Sequence, residues 1–423
     1  MGFHTSRGPQ DGQIRRGLKS ESALQRGVAL LMVTAVSKTL MTEGHTLTTI
    51  PSKLSRGTGI MKAAVLNQIP GELEIEDISI DKPGLNEVLV QVVNAGLCHS
   101  DLHFMDAAWQ TQLPAVMGHE SAGIVQAVGA DVSYVKPGDH VITCLSVFCG
   151  NCNLCLTGRP NLCRNHSAVN RPDESAPRLS KDDGTAVAQF ARLGGFAEEM
   201  LVHQNAVVAI REDMPLDRAA LIGCGVTTGV GAVFKTAKIE PGSTVAVFGA
   251  GGIGLSAVQG ARIAGAGRII SVDVTADKLE TARSVGATDT VNGAETDAVA
   301  AIHEMTKGGV DYAFECIGLK ATCEQAWSAS KLGGTTVIVG MMPFGEKIEI
   351  PGYEVFMMEK RLQGSMMGSN SFRVDMPRYV DMYLDGRLML DEMISSHIHL
   401  DQINEGYEQM RQRVGNRTVI DFS

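Results

Sequence analysis

Residues 244–265, TVAVFGAGGIGLSAVQGARIAG, constrain the fold more than any other stretch. They place G-x-G-x-x-G (Gly249, Gly251 and Gly254, with Gly252 between) directly after a compact apolar run and directly before helical spacing. Glycines at these offsets permit a tight turn and close backbone approach to a pyrophosphate, which then rests on a helix N-terminus. Taken alone the pattern is weak, because a chain with 47 glycines produces glycine-rich turns readily. The next apolar run, RIISVDV, contains Asp273, 24 residues after Gly249. An acid there accepts hydrogen bonds from the adenosine ribose and repels a 2′-phosphate, which points to NAD. The alternative for Asp273 is a solvated strand end.

The surrounding rhythm agrees. DKLETARSVGA has helical spacing, and VDYAFECIG and TTVIVG are further apolar runs. Strand and helix alternating in this way imply a parallel, doubly wound sheet built from βαβ units. From Met61 to about Thr143 the pattern is β-rich instead: EVLVQVVNAGLC and SAGIVQAVG alternate apolar and polar residues. Residues 144–190 read as loop. After Gly368 the order is helix, short strand, helix and a closing strand, RTVIDF. The expectation is an α/β protein with an extension over residues 1–60, a β-rich domain over 61–227, a dinucleotide-binding domain over 228–368 and a return to the first domain over 369–423.

Cysteine usage adds chemistry. Cys149, Cys152, Cys155 and Cys163 form C-x₂-C-x₂-C-x₇-C. Four thiolates complete a closed tetrahedral zinc shell, so this site is expected to be structural. An iron–sulfur cluster also takes four thiolates. Nine cysteines do not make an even disulfide framework, and a chain of 423 residues does not need one.

The formal charge of −10 argues against nucleic acid as a partner, which wants a basic face. No apolar run of about 18 residues is evident, so no membrane span is expected. The first sixty residues carry eight Lys/Arg and three acids, a composition that fits either a transit peptide or an upstream start before a true beginning at Met61. A cytoplasmic enzyme is the expectation.

Three more candidate ligands are dispersed: Cys98 in GLCHSDLH, His119 in GHESAG and Cys224 in GCGVTTG. Two thiolates, one imidazole and a water make an open, catalytic zinc shell. Read singly, a lone Cys is equally a small core hydrophobe and a lone His a satisfied polar group.

These motifs, in this order and at these separations, resemble the zinc-containing medium-chain alcohol dehydrogenases from Met61 to the C-terminus. The resemblance implies a GroES-like β-rich catalytic domain joined to a Rossmann domain, with two zinc ions per chain and NAD. It implies that Cys98, His119 and Cys224 hold the catalytic zinc, that Glu120 stands beside it, and that Asp101 holds the far nitrogen of His119. Ser100 would hydrogen-bond the alcohol, and His103, titrating near neutrality, would end a proton relay. Asp273 and Lys278 would flank the adenosine ribose, with Thr228 near the nicotinamide and Arg417 near the pyrophosphate. The reaction would be hydride transfer between a primary alcohol, or its aldehyde, and NAD.

Glutathione-dependent formaldehyde dehydrogenases are a related alternative. They carry an arginine where this chain has Ser167, and tend to have tyrosine where it has His103, although His99 is shared with them. A non-enzymatic structural or binding role fits poorly with a complete zinc set. Leu145 and Trp109 would line the substrate pocket or else pack in the core. The 61-residue separation of Cys163 and Cys224 resembles that of dimeric relatives, so a homodimer is expected.

Overall fold

The computed structural model describes residues 59–172 and 175–422. The extension expected over residues 1–60 lies outside them except for its last two residues, and these move the boundary. The first strand is Gly59–Leu66, with Gly59 paired to Ile80 and Ile60 to Ser79. Backbone pairing needs no apolar pattern, and Ile60 is 62% exposed, so nothing in the sequence marks this start.

Three sheets organise the described residues. Two are β-rich and carry the first part of the chain. In one, Gly59–Leu66 pairs with Leu73–Ile80 and with Ala115–Val116. In the other, the long strand Glu87–Gly96 pairs with Ser121–Val128 and Glu199–His203. The closing strand Arg417–Asp421 joins this second sheet antiparallel, with Val419 opposite Gly96. The C-terminus therefore returns to the first sheet system after the intervening residues have formed the third.

The third sheet is parallel throughout. Its spatial order is Asp289–Asn292, Arg268–Asp273, Thr244–Phe248, Val310–Glu315, Ser330–Ile338, Arg361–Gly364. Numbered by their own chain order, these strands run 3-2-1-4-5-6, the Rossmann arrangement. Its inner strands show no alternation: Val245 to Phe248 and Ile269 to Val272 are buried without interruption, because helices cover both faces. The order reverses between Thr244–Phe248 and Val310–Glu315, where a doubly wound sheet opens a ligand crevice at its carboxyl edge.

A continuous helical run, Leu216–Ala237, has the length and composition to cross a membrane. It is mostly buried inside the protein, where Ala219, Leu221, Ile222, Val226, Val230 and Val233 join the largest core cluster. A helix that is apolar all round fits the centre of a large fold.

Candidate active site

Cys98 follows the strand Glu87–Gly96 and stands in the N-cap position of the helix His99–Met105. Its backbone is extended (φ −123°, ψ 143°), which turns the chain out of the sheet. Asp101, in the first turn of that helix, is fully buried. It accepts the Gly118 backbone N–H at 3.1 Å and faces His119 Nδ1 at 3.2 Å through Oδ1. His119 and Glu120 immediately precede the strand Ser121–Val128. Cys224 arrives from the other side, on a widened π-type turn, Ile222–Val226, inside the long apolar helix. Such turns recur at functional sites because they re-aim a side chain without ending the helix.

The thiols of Cys98 and Cys224 and a ring nitrogen of His119 lie within 4.8 Å of one another, all buried. Among the described residues the buried His119 Nε2 faces no partner outside the trio, its one neighbour being the Cys98 thiol, whereas Nδ1 is held by Asp101. An imidazole fixed by a carboxylate at one nitrogen and facing a thiol at the other is the arrangement of a metal ligand. Three such donors fit an open zinc shell. Hydrogen bonding from Cys224, with His119 and Arg417 nearby, holds the Cys98 thiol well below its ordinary range despite burial. Cys224 is pushed up in turn by that same hydrogen bond and by burial.

Glu120 lies behind this trio. It accepts the Gly225 N–H at 3.2 Å and pairs with Arg417, whose Nη2 contacts Oε2. Burial raises the Glu120 carboxyl to about 7 against the pull of Arg417.

The four-cysteine cluster is assembled by a loop with little regular structure beyond the short helix Asn153–Leu156. Its Sγ–Sγ separations include 3.9 Å (Cys149–Cys155), 3.5 Å (Cys152–Cys155) and 3.9 Å (Cys152–Cys163). Disulfide sulfurs would stand about 2.05 Å apart. Four sulfurs about 2.3 Å from a tetrahedral zinc stand about 3.8 Å from each other. The donor set therefore fits a closed zinc shell.

At the crevice, Gly249 adopts φ +97°, a conformation that favours glycine, and a Cβ there would run into Ile317. A Cβ at Gly254 would fall 1.7 Å from the Gly249 carbonyl oxygen, so this helix start must be glycine. Gly251, by contrast, faces open space and is the N-cap of the helix Gly252–Ile263, with no side chain capping it. The free N–H groups there suit a pyrophosphate. Asp273 accepts the Ala250 N–H at 2.7 Å and the Thr275 N–H at 3.0 Å. Burial and Arg413 lower the pKa of Lys278, and the nearby Asp273 carboxylate opposes them. Arg417 Nη1 would stand 2.7 Å from a Cβ at Gly252, so Arg417 touches both the glycine turn and Glu120. Thr228 is buried and donates to Met367 Sδ at 3.4 Å.

Ser100 and His103 are half-buried on the helix that begins after Cys98. The expected near-neutral titration of His103 is corrected: burial, then the neighbouring His99 ring at 5.2 Å, lower its pKa. Ser167 is exposed. Leu145 is partly buried against two core clusters. Trp109 belongs to an aromatic series that the sequence pattern does not single out. His119 packs on Phe190 (5.7 Å between centroids), Phe190 on Phe104 (4.7 Å), Phe104 on Trp109 (6.4 Å) and Trp109 on Phe344 (5.9 Å). Phe104, Phe190 and Phe344 come from three separate segments, so only the folded chain shows the line they make.

The family described as alcohol dehydrogenase GroES-like domain matches residues 84–212, and the one described as zinc-binding dehydrogenase matches residues 252–384. An alcohol dehydrogenase class-3 of Cereibacter sphaeroides is 37% identical over 374 residues, covering 85% of this chain and 99% of that protein. The chain belongs to the zinc-containing medium-chain alcohol dehydrogenase family. Its fold is accordingly a GroES-like domain with a Rossmann-type domain. Among solved structures, an alcohol dehydrogenase zinc-binding domain protein from Burkholderia ambifaria superposes with a TM-score of 0.83 at 35% identity, covering 86% of this chain and all of that one. Benzyl alcohol dehydrogenase from Acinetobacter calcoaceticus gives 0.80 at 32% identity, with the same coverage. This family member is an oxidoreductase.

Proposed function

We propose that this alcohol dehydrogenase homologue transfers a hydride between a primary alcohol, or its aldehyde, and NAD, with one catalytic and one structural zinc per chain. The observation that carries the reading is the buried trio Cys98, His119 and Cys224, with His119 Nδ1 locked by Asp101 and Nε2, among the described residues, left to the trio alone. When bound, zinc supplies Lewis acidity toward the alcohol oxygen and NAD supplies the hydride acceptor. The chain's own residues do the rest. Asp101 fixes the tautomer of His119 and thereby its aim. Ser100 takes up the alcohol proton, and His103 passes it to solvent. Arg417 and the N-terminus of Gly252–Ile263 hold the pyrophosphate, and Asp273 and Lys278 receive the ribose. Cys149, Cys152, Cys155 and Cys163 pin their loop and leave no position for substrate.

The aromatic series from His119 to Phe344 supports an aromatic primary alcohol as the preferred substrate, in keeping with the benzyl alcohol dehydrogenase relative. NADH formation with benzyl, long aliphatic and short aliphatic alcohols, with and without a chelator, tests the reading. Benzyl alcohol should give the highest kcat/KM and the chelator should abolish it. Turnover that survives complete zinc removal, or none with any alcohol or aldehyde, would overturn it.

The homodimer remains part of this proposal. All four residues of the edge strand Arg361–Gly364 are exposed, and beside it in sequence Tyr353, Val355, Phe356 and Met357 expose apolar surface. A two-fold axis at this edge would pair the strands and cover those side chains. Light scattering should return twice the chain mass; a monomer or tetramer would contradict it. Nine free cysteines, seven of them in the two clusters, fit a reducing compartment such as the cytoplasm.

A further inference from the structure

Glu315 ends the strand Val310–Glu315 at the point where the parallel sheet reverses its order. It is level with Phe248, the last residue before the glycine turn, on one side and with Ile338 on the other. Its side chain is fully buried. Oε1 accepts three hydrogen bonds, from Ile317 N (3.0 Å), Gly318 N (2.8 Å) and Thr322 Oγ1 (2.7 Å). Oε2 is buried; among the described residues no cation pairs with the carboxylate and the only further donor facing it is the weak Cys323 thiol, a costly state for a group whose only task is to close a turn.

The turn that Oε1 gathers reaches two further segments of the crevice. Ile317 lies where a Cβ of Gly249 would be, 2.6 Å away, so its side chain bears on the first glycine of the fingerprint. On the opposite side, the Glu315 carbonyl accepts Val339 N (2.8 Å) and Gly340 N (3.0 Å). Gly318 and Gly340 are so close that a Cβ at Gly340 would stand 2.2 Å from Gly318 N and 2.7 Å from Glu315 Oε2. One residue thus holds the glycine turn, residues 316–318 and residues 339–340 in register across the carboxyl edge of three neighbouring strands.

We propose that Glu315 is a positioning residue for the dinucleotide: it sets the shape of the crevice and acts on cofactor binding, not on the metal centre. The inference rests on the dinucleotide reading above. Glu315 touches neither zinc site, and its three donors all come from the backbone or side chains that border the crevice.

The test compares NADH binding, by titrating protein fluorescence, in zinc-loaded wild type, Glu315→Gln, Glu315→Ala and Thr322→Val, with zinc content and thermal unfolding measured without cofactor. Gln keeps an oxygen for the three donors and should bind within about threefold of wild type. Ala strands those donors and should weaken NADH by about tenfold or more, while retaining full zinc and, at saturating cofactor, a kcat within about threefold. Thr322→Val removes one donor and guards against an Ala variant that does not fold; it should weaken NADH by about threefold. A purely structural role would lower the unfolding temperature of these variants without moving the NADH affinity, and that result would overturn the proposal. So would a loss of kcat at unchanged affinity. Wild type that binds no nicotinamide nucleotide would overturn the dinucleotide reading itself, and the inference with it.

Discussion

Arg417 and Glu120 form a buried ion pair that joins the two halves of the active site: Arg417 Nη2 meets Glu120 Oε2 while Nη1 bears on Gly252 at the start of the cofactor helix. Their side chains are 7% and 0% exposed. The pair connects the C-terminal strand, the residue after His119 and the glycine turn, three segments far apart in sequence.

Breaking the pair from the arginine side should therefore cost stability. Arg417→Leu leaves Glu120 buried beside Gly225 without its cation; its carboxyl, already raised to about 7, then takes up a proton, and the loss should be about 1–3 kcal/mol from the buried hydrogen bonds left unmade. Urea unfolding of the zinc-loaded variant should show that loss, and NADH should bind more weakly. A variant with wild-type stability would mean that water or another group replaces Arg417.

The cofactor preference should be NAD over NADP. Asp273 already accepts the Ala250 and Thr275 N–H groups, which fixes its carboxylate beside the glycine turn, and an acid at that place repels a 2′-phosphate. Asp273→Gly should shrink the ratio of kcat/KM values by about tenfold or more, the loss of a charge-assisted hydrogen bond and of a repulsion. A wild type more efficient with NADP would contradict this, and would shift attention to Lys278 and the nearby Arg413.

How much of this was legible beforehand differs from residue to residue. Gly249, Gly254 and Asp273 could be placed because glycine spacing and the strand–helix rhythm report backbone geometry directly. The four-cysteine loop was legible for the same reason: its ligands are local. Cys98, His119 and Cys224 were not, since spacing carries no signal across such gaps and only the family resemblance grouped them. The widened turn at Cys224 and the aromatic line from Phe190 to Phe344 depend on tertiary packing, which has no periodic trace. Gly59 and Ile60 were missed because strand pairing there buries no apolar side chain, and Leu216–Ala237 because small residues such as Gly223, Gly225 and Thr227 disguise an apolar helix.

His103 should carry the proton exit. Its lowered pKa keeps the ring neutral, and able to accept a proton, at and below neutral pH. Alcohol oxidation should thus decline as pH falls through a value below that of a free histidine. His103→Gln should keep both zinc ions, slow oxidation by about tenfold to a hundredfold, and recover partly with small amine bases. Full activity in the variant, or loss of a zinc ion, would remove His103 from the relay.

The structural cluster should separate from the catalytic one. Cys152→Ser should lose one zinc and unfold at lower temperature, because that metal pins a loop with little secondary structure of its own. Unchanged thermal unfolding would argue that the loop holds itself in place.

The most direct measurement is metal analysis of the wild type beside Cys224→Ser, with NADH formation followed on the same samples. The account predicts two zinc ions per chain in the wild type. In the variant it predicts one zinc, a cooperative unfolding transition and nearly no turnover. A wild type with a single zinc, or a Cys224→Ser variant that keeps both zinc and normal turnover, would contradict the assignment of Cys98, His119 and Cys224 as the catalytic metal site.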